Sequence, residues 1–206
     1  MSRITVGVID YGAGNLASVR RILHGLGFRC RVSSDTEILD KTDLLLLPGV
    51  GAFSLAMEEL HKLGLVSYLR EKARSGKPIV GICLGMQLLA DSSDEYGFTE
   101  GLGLIPGYVR PLKQENWHIG WNNIEVLDGS DQFMHSDGKS FYFNHSFEFK
   151  APKEYRKAVA RLSQDSDPIV VAVQRGAMVG LQFHPEKSQQ AGRQLLCNVI
   201  SELCSA

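Results

Sequence analysis

Short runs of purely apolar residues, each followed by a helix-like segment, constrain the fold of this chain most. Residues 44–47 are four leucines in a row, and a long helical pattern follows at about 53–74. Residues 3–9 (RITVGVI) and 79–82 (IVGI) repeat the apolar pattern, and the second run leads into a helix-like segment at 84–90. Strands that are apolar on both faces and alternate with helices are typical of a parallel sheet covered on both sides. The first half therefore predicts an α/β fold.

The second half has shorter β-like stretches and a closing helix over about 189–203. The stretches lie at about 107–112, 121–127, 139–149, 158–162, 169–174 and 178–183. No internal repeat or long linker divides the chain, so we expect one domain over residues 1–206, with an antiparallel β excursion before the last helix.

The composition excludes several classes of protein. The chain has 206 residues, 44% of them hydrophobic and 22% charged, which is typical of a globular domain and unlike a disordered chain. Lysine and arginine number 22 against 23 acidic residues, so binding driven by nucleic-acid phosphates is not expected. No stretch of about 18 apolar residues predicts a membrane span. No metal or cofactor is predicted.

Cysteine usage favours a reducing compartment. The chain starts without the pattern of a signal peptide, and its four cysteines form no CxxC pair. We therefore expect a cytoplasmic protein with free thiols. Each cysteine has to be interpreted singly, and only Cys83 lies in a motif.

Cys83 occupies the centre of GICLG at 81–85, where a buried strand turns directly into a helix. A nucleophile on such an elbow is exposed at the edge of the sheet, because the flanking glycines allow the backbone to pack closely. The helix N-terminus that follows favours a thiolate and can receive an oxyanion. A small buried thiol in a tight turn explains this motif alone equally well.

A second candidate pair follows the last predicted strand, in GLQFHPE at 180–186. His184 and Glu186 lie two residues apart around Pro185, so one imidazole nitrogen can face a thiol while the carboxylate holds the other. The alternative is a histidine at a strand end beside a solvated glutamate. The cysteine elbow elsewhere in the chain makes a nucleophile and base pair the better interpretation.

Two glycine-rich loops also end predicted strands. PGVG at 48–51 can present backbone N–H groups to a ligand, but it lacks the ending of a phosphate-binding P-loop. DYGAGN at 10–15 matches no nucleotide-binding fingerprint. For this second loop, a simple turn from strand to helix is the favoured interpretation.

Together, PGVG at 48–51, GICLGMQ at 81–87 and GLQFHPEKS at 180–188 resemble the triad-type class I glutamine amidotransferases. DYGAGN at 10–15 and HIGWN at 118–122 are similar to the HisH-type glutaminase subunits of imidazole glycerol phosphate synthase. The resemblance covers essentially the whole chain. It implies a single glutamine amidotransferase domain with a flavodoxin-like fold, in which helices flank a mostly parallel sheet with an antiparallel extension.

The resemblance implies a catalytic triad that hydrolyses L-glutamine. Cys83 would attack the side-chain amide, His184 would pass the proton to the departing ammonia, and Glu186 would hold His184. A thioester on Cys83 would then be hydrolysed to glutamate. The implied oxyanion donors are the backbone groups of Val50, Gly51 and Leu84.

Substrate and partner residues follow from the same resemblance. The implied substrate-binding residues are Gly49, Gln87, Glu95, His145, Ser146 and Phe147. The implied partner is a HisF-type (β/α)8 cyclase, which would form a heterodimer with this chain and receive ammonia through a tunnel. His118, Trp121 and Asn122 would lie at that interface, although core packing is an equal alternative for Trp121.

Two departures and three alternatives accompany this resemblance. Trp117 stands where the family usually has proline, and residues 143–147 read FNHSF where it usually has a FVHSY-like segment. The main alternative is a HisH-like paralogue that supplies ammonia for amidation of a bacterial surface sugar. A flavodoxin-like cysteine peptidase or DJ-1-like protein and an inactive interaction module are less favoured.

Overall fold

The computed structural model describes residues 3–113, 117–127, 131–163 and 166–205. The strands are β1 Thr5–Ile9, β2 Arg29–Ser33, β3 Leu44–Gly49, β4 Ile79–Cys83, β5 Ser92–Ser93, β6 Thr99–Glu100, β7 Tyr108–Pro111, β8 His118–Asn123, β9 Glu125–Val126, β10 Ser140–His145, β11 Phe147–Lys150, β12 Arg156–Ala160, β13 Ile169–Arg175 and β14 Met178–Leu181. The helices are α1 Leu16–Gly25, α2 Thr36–Asp40, α3 Phe53–Lys62, α4 Leu65–Arg74, α5 Leu84–Leu88, α6 Asp131–Met134 and α7 Gln189–Leu203.

An eight-stranded sheet forms the centre of the fold, in the order β2-β1-β3-β4-β14-β13-β12-β9. The first five strands are parallel, and β13, β12 and β9 continue the sheet antiparallel. This confirms the predicted α/β fold with an antiparallel extension. Strand β4 lies between β3 and β14, and Gly49 at the end of β3 is in register with Cys83. The PGVG loop, Cys83 and the segment after β14 therefore meet at one edge of the sheet.

Both faces of the sheet are buried at its central strands β1, β3 and β4. Val8 and Leu46 pack in one cluster with residues of α1 and α7, and Ile9 and Leu47 pack in a second cluster with α3 and α4. Neighbouring residues in these strands point to opposite faces, so each strand needs apolar side chains at every position. Among the described helices, none combines the length and apolar character needed to span a membrane.

The single helix predicted over 53–74 is wrong, because the chain forms α3 and α4 instead. Gly64 separates them with a left-handed backbone at φ 69°. Glycine adopts this conformation without the steric cost that a side chain would impose. Apolar residues recur on both sides of the break and are buried, so their spacing alone does not reveal it. The closing helix α7 confirms the prediction for 189–203.

The strand predicted over 139–149 is also wrong. Strand β10 pairs with β8 in a two-stranded sheet, whereas β11 pairs with β7 in a four-stranded sheet. The chain changes sheets at Ser146, so the residues on either side of the break line the same cavity as Cys83. The stretch predicted at 121–127 likewise divides into β8 and β9.

Candidate active site

Cys83 lies on a strained turn between β4 and α5. Its backbone has φ 55° and ψ −111°, a conformation that residues with a side chain rarely adopt. A Cβ atom on Gly85 would lie 1.8 Å from the carbonyl oxygen of Leu47, and one on Gly81 would lie 2.5 Å from the carbonyl oxygen of Gly85. Both glycines are therefore required for the helix to start so close to the sheet. This is the geometry of a nucleophile elbow.

The side chain of Cys83 borders a cavity of about 480 Å³. Its lining includes every predicted oxyanion residue and five of the six predicted substrate-binding residues. These are Val50, Gly51, Leu84, Gln87, Glu95, His145, Ser146 and Phe147. Tyr96, Trp117 and Asn144 also line the cavity, although the motifs do not identify them. The structure thus brings segments from distant parts of the sequence around one thiol.

His184 and Glu186 form a buried pair in the turn after β14. Nδ1 of His184 lies 2.8 Å from Oε1 of Glu186, and their side chains are 3% and 2% exposed. A carboxylate can only accept, so Nδ1 carries the hydrogen and Nε2 is free for Cys83. The backbone N–H of His184 donates to Tyr142 O, and the hydroxyl of Ser188 donates to His184 O. These bonds fix the turn that presents the imidazole.

Electrostatics at this pair favour a protonated imidazole. Burial alone lowers the pKa of His184, but its hydrogen bonds with Cys83 and Glu186 and their negative charges outweigh burial and raise the pKa to about 10. An imidazolium at neutral pH is the natural partner of a thiolate. Oε2 of Glu186 is buried and has no hydrogen-bond partner among the described residues. The arrangement can therefore activate a sulfur nucleophile.

The PGVG loop is anchored by the buried side chain of Tyr11. The hydroxyl of Tyr11 donates to Pro48 O at 2.7 Å, and burial followed by the charge of Cys83 raises the pKa of Tyr11. A Cβ atom on Gly49 would lie 2.6 Å from this hydroxyl oxygen. Gly49 thus packs against Tyr11 and is not among the residues that line the cavity, whereas Val50 is 45% exposed and Gly51 has φ 108°. Glycine at position 49 is explained by close packing.

Gln87 and Glu95 reach the cavity from α5 and the following segment. The side-chain amide of Gln87 donates to Phe147 O at 3.2 Å and to the side chain of Gln182 at 3.0 Å. The carboxylate of Glu95 accepts a bond of 2.7 Å from the backbone N–H of Phe53. Burial raises the pKa of Glu95, and this hydrogen bond opposes part of the increase. Both side chains are held in place before any substrate enters.

Two histidines form a hydrogen-bonded chain beside the cavity. Nδ1 of His145 lies 2.8 Å from Phe147 O and must donate to it, because a carbonyl only accepts. Nε2 of His145 therefore accepts from Nδ1 of His118 at 3.0 Å, and Nε2 of His118 accepts from Asn122 at 3.4 Å. Desolvation lowers the pKa of His118 to about 4 and that of His145 to about 3. Both rings are neutral at physiological pH.

The residues predicted for a partner interface differ in exposure. His118 is buried and stacks on Phe143, and the side chain of Asn122 donates to Arg161 O at 2.7 Å. Trp121 is 50% exposed and lies edge-on to Tyr142, so its indole is available to a second protein. The alternation along β8 explains the difference, because successive side chains point to opposite faces of a strand.

Two contacts to the sulfur of Cys83 were not predicted from the sequence. Asn144 O and the side-chain nitrogen of Gln182 each lie 3.8 Å from Sγ. The side chain of Asn144 also accepts a hydrogen bond from the indole of Trp117. Gln182 could have been found, because it lies two residues before His184 on the same strand-like run. Nothing in the sequence indicates that Asn144 reaches Cys83 across 61 positions.

Comparison with known proteins agrees with this geometry. The model of the family "Glutamine amidotransferase class-I" matches residues 7–202. The chain is 44% identical to the imidazole glycerol phosphate synthase subunit HisH of Streptococcus gordonii, over 92% of each chain. It is 42% identical to the protein of the same name from Listeria innocua, over 97% of each chain.

Solved structures share the fold at lower identity. A structure described as a glutamine amidotransferase superposes with a TM-score of 0.75 at 22% identity, over 98% of this chain and 99% of the other. A glutamine amidotransferase from Thermotoga maritima gives a TM-score of 0.67 at 18% identity, over 100% of each chain. The family match, the identity to the HisH proteins and the shared fold establish that this chain belongs to the class I glutamine amidotransferases.

Proposed function

We propose that this chain is the glutaminase subunit of an imidazole glycerol phosphate synthase, which hydrolyses L-glutamine to glutamate and ammonia. The observation that carries the proposal is the chain of contacts at Cys83: on its strained elbow it borders the cavity and is hydrogen-bonded to His184, whose Nδ1 is held by the buried Glu186. The names of relatives at 41–44% identity support the same activity.

In the proposed reaction, the Cys83 thiolate attacks the side-chain carbonyl carbon of glutamine. The negative charge that develops on the carbonyl oxygen is stabilised by backbone N–H groups of Leu84 and of the loop at Val50 and Gly51. Protonated His184 gives its proton to the leaving nitrogen, and ammonia departs as the thioester forms. His184 then deprotonates a water molecule that attacks the thioester, and glutamate leaves.

The remaining polar groups of the cavity fit a zwitterionic amino acid. The carboxylate of Glu95 can accept from the α-ammonium group of glutamine, and the backbone at Ser146 and Phe147 can bind the carboxylate end. Gln87 and His145 hold these segments through Phe147 O. We propose that these residues fix the amide of glutamine beside Cys83.

We propose a HisF-type (β/α)8 cyclase as the partner in a heterodimer that channels the ammonia. Ammonia that escapes into neutral water is protonated and no longer nucleophilic, so a connected acceptor site is needed. Exposed apolar side chains near the cavity provide a surface of the required kind, with Trp117 and Ile119 each 58% exposed and Trp121 50% exposed. The cytoplasmic location predicted from cysteine usage stays a prediction.

Three competing functions are less well supported. A paralogue that serves surface-sugar amidation is not favoured, because the compared relatives are named as HisH subunits of imidazole glycerol phosphate synthase. Family membership argues against a cysteine peptidase related to DJ-1. An inactive interaction module would not need the complete set of Cys83, His184 and Glu186.

Replacement of the nucleophile tests the proposed reaction. We expect Cys83→Ala to lower the kcat for glutamine hydrolysis by at least about 10⁴-fold, because loss of a triad nucleophile removes the covalent route. Glutamate release is measured with and without a HisF-type cyclase and its nucleotide ligand. We expect weak hydrolysis by the isolated chain and much faster hydrolysis with the partner.

Cys30→Ala is the matched control, because Cys30 is a partly buried thiol on the distant strand β2. It should keep the activity of the unmodified chain. Glutaminase activity in Cys83→Ala would contradict the assigned nucleophile, and full activity without the cyclase would contradict activation by the partner.

A further inference from the structure

The side-chain amide of Gln182 lies against the sulfur of Cys83. Gln182 is fully buried, and its Nε2 is 3.8 Å from Sγ, a distance compatible with a hydrogen bond to sulfur. Asn144 O also lies 3.8 Å from Sγ. The carbonyl can only accept, so it interacts favourably with the S–H group, whereas an amide donor interacts favourably with the thiolate. The two contacts therefore favour opposite protonation states of Cys83.

The orientation of the Gln182 amide is fixed by its neighbours. Phe147 O can only accept, so the group of Gln87 that lies 3.2 Å from it must be the NH₂ group. The same NH₂ group lies 3.0 Å from the Gln182 side chain, which must therefore present its oxygen to Gln87. The NH₂ group of Gln182 is then the one that faces Sγ. Reversing either amide would bring two acceptors or two donors together.

We propose that Gln182 donates a hydrogen bond that stabilises the Cys83 thiolate, and that Gln87 is the positioning residue that aims it. The inference deepens the proposed function, on which it rests for the role of Cys83 as nucleophile. As the proton of Cys83 moves to Nε2 of His184, the bond to Asn144 O is lost and the bond from Gln182 strengthens. Gln87, predicted as a substrate-binding residue, would thus also orient the side-chain amide of Gln182.

Gln182 differs from the titratable groups around Cys83. His184 changes charge during the reaction, and the hydroxyl of Tyr11 donates away from the sulfur to Pro48 O. Gln182 is neutral at every pH and inaccessible to solvent. Its loss should therefore shift the pH at which the thiolate forms, without lowering the reactivity of the fully formed thiolate.

Alkylation of Cys83 by iodoacetamide tests this directly, because it measures the thiolate and needs no glutamine. The rate at Cys83 in the full chain is followed from pH 5 to 10 by mass spectrometry of the cysteine-containing peptides. In Gln182→Met, which removes the donor at similar volume, we expect the midpoint to rise by about one pH unit and the rate at neutral pH to fall about three- to tenfold. The limiting rate at high pH should not fall.

Two further variants distinguish the effect of the Gln182 hydrogen bond on Cys83 from a general effect of changed packing. Gln182→Glu keeps an acceptor for Gln87 but places an oxygen beside the sulfur. The midpoint for alkylation of Cys83 should therefore rise further than in Gln182→Met. This variant also provides the test if Gln182→Met does not fold. Gln132→Met is the control, because Gln132 is also buried and donates to another glutamine, Gln174, at 2.6 Å. It should leave the alkylation profile of Cys83 unchanged.

Unchanged alkylation midpoints in both Gln182 variants would overturn the proposal. A lower limiting rate at an unchanged midpoint would also overturn it, because that result indicates altered access of iodoacetamide to Cys83. Gln87→Met should shift the midpoint in the same direction by less. Absence of glutaminase activity in the unmodified chain would overturn the proposed function, yet the alkylation profiles would still decide whether Gln182 acts on the thiolate.

Discussion

At the scale of single residues, the site depends on side chains whose tautomer or amide orientation is fixed by a single neighbouring acceptor. Glu186 fixes the tautomer of His184, and Phe147 O fixes the orientation of both His145 and Gln87. Carboxylates and carbonyls only accept, so each of these contacts determines which atom carries a hydrogen. The His184 pair was predictable because its members lie two residues apart. Contacts between distant segments were not.

Glu186→Gln tests the buried carboxylate. The amide keeps the shape of glutamate but removes the charge that helps to raise the pKa of His184, so the imidazolium is less stable. We expect kcat for glutamine to fall by about 10² to 10⁴-fold with little change in KM, as for other triads that lose their carboxylate. Steady-state kinetics of glutamine hydrolysis, measured in the presence of the proposed cyclase partner, provide the test.

Glu202→Gln on the exposed face of α7 is the control and should retain full activity. A Glu186→Gln enzyme with unchanged kcat would show that the carboxylate of Glu186 does not support the base.

At the scale of elements, the elbow is built by a short helix that begins immediately after a buried strand. Helix α5 has only five residues, and all five are buried. Its close contact with β3 is possible because Gly85 has no side chain, and Gly81 permits the same approach from β4. Such contacts between backbone atoms explain why both glycines flank Cys83, and they indicate where substitution should be most damaging.

Gly85→Ala should destabilise the chain by at least about 3 kcal/mol, because its Cβ would lie 1.8 Å from the carbonyl oxygen of Leu47 in the rigid sheet. Urea unfolding followed by circular dichroism measures the change. Gly25→Ala is the control, since its Cβ would meet the flexible end of the Arg193 side chain.

We expect Gly25→Ala to change the free energy of unfolding by less than about 1 kcal/mol. Equal stability of the two variants would contradict close packing of α5 on β3. A Gly85→Ala chain that expresses only in insoluble form, beside a soluble Gly25→Ala chain, would agree with it.

At the scale of the whole molecule, buried neutral histidines link the two-stranded sheet to the cavity. His118 on β8 and His145 at the end of β10 lie opposite each other across this sheet, and Phe147 O joins them to the strand β11 of the next sheet. The folded chain therefore contains two imidazoles that resist protonation. This property belongs to the tertiary structure, because either histidine would titrate normally in the unfolded chain.

Stability should fall as the pH drops below about 6.5. The pKa values of His118 and His145, about 4 and about 3 when folded, lie below the ordinary value of 6.5, so the unfolded chain binds more protons in this range. At pH 5 each histidine should lower the free energy of unfolding by about 2 kcal/mol relative to pH 7. His184 has the opposite shift, so its stabilisation is present below 6.5 and is lost as the pH rises toward 10.

Urea unfolding at pH 7 and pH 5 provides the measurement. His118→Gln should reduce the difference between the two pH values by about half, because one of the two suppressed titrations is removed. The control His61→Gln changes an exposed histidine on α3 and should retain the full difference. Equal stability of the unmodified chain at both pH values would contradict neutral burial of the pair.

The sequence by itself determined the class of fold and the identity of the candidate triad. Continuous apolar strands require two covered faces, and the motifs around Cys83 and His184 are local patterns whose spacing carries their chemistry. The break at Gly64 and the change of sheets at Ser146 were missed, because apolar and alternating patterns continue through both positions. Local periodicity reports which face is buried and does not report which strand becomes the neighbour.

Only the tertiary structure decided which side chains surround the sulfur of Cys83. Gln182 and Asn144 reach it from 99 and 61 positions away. The close packing of Gly49 against the Tyr11 hydroxyl and Leu84 is also visible only in the folded chain, and its role in substrate binding stays a prediction. The burial of His118 on one face of β8, while Trp121 on the other face is exposed, follows from pairing with β10. Hydrogen bonds and desolvation depend on distances in space. These distances are set by the tertiary fold and cannot be inferred from separation along the sequence.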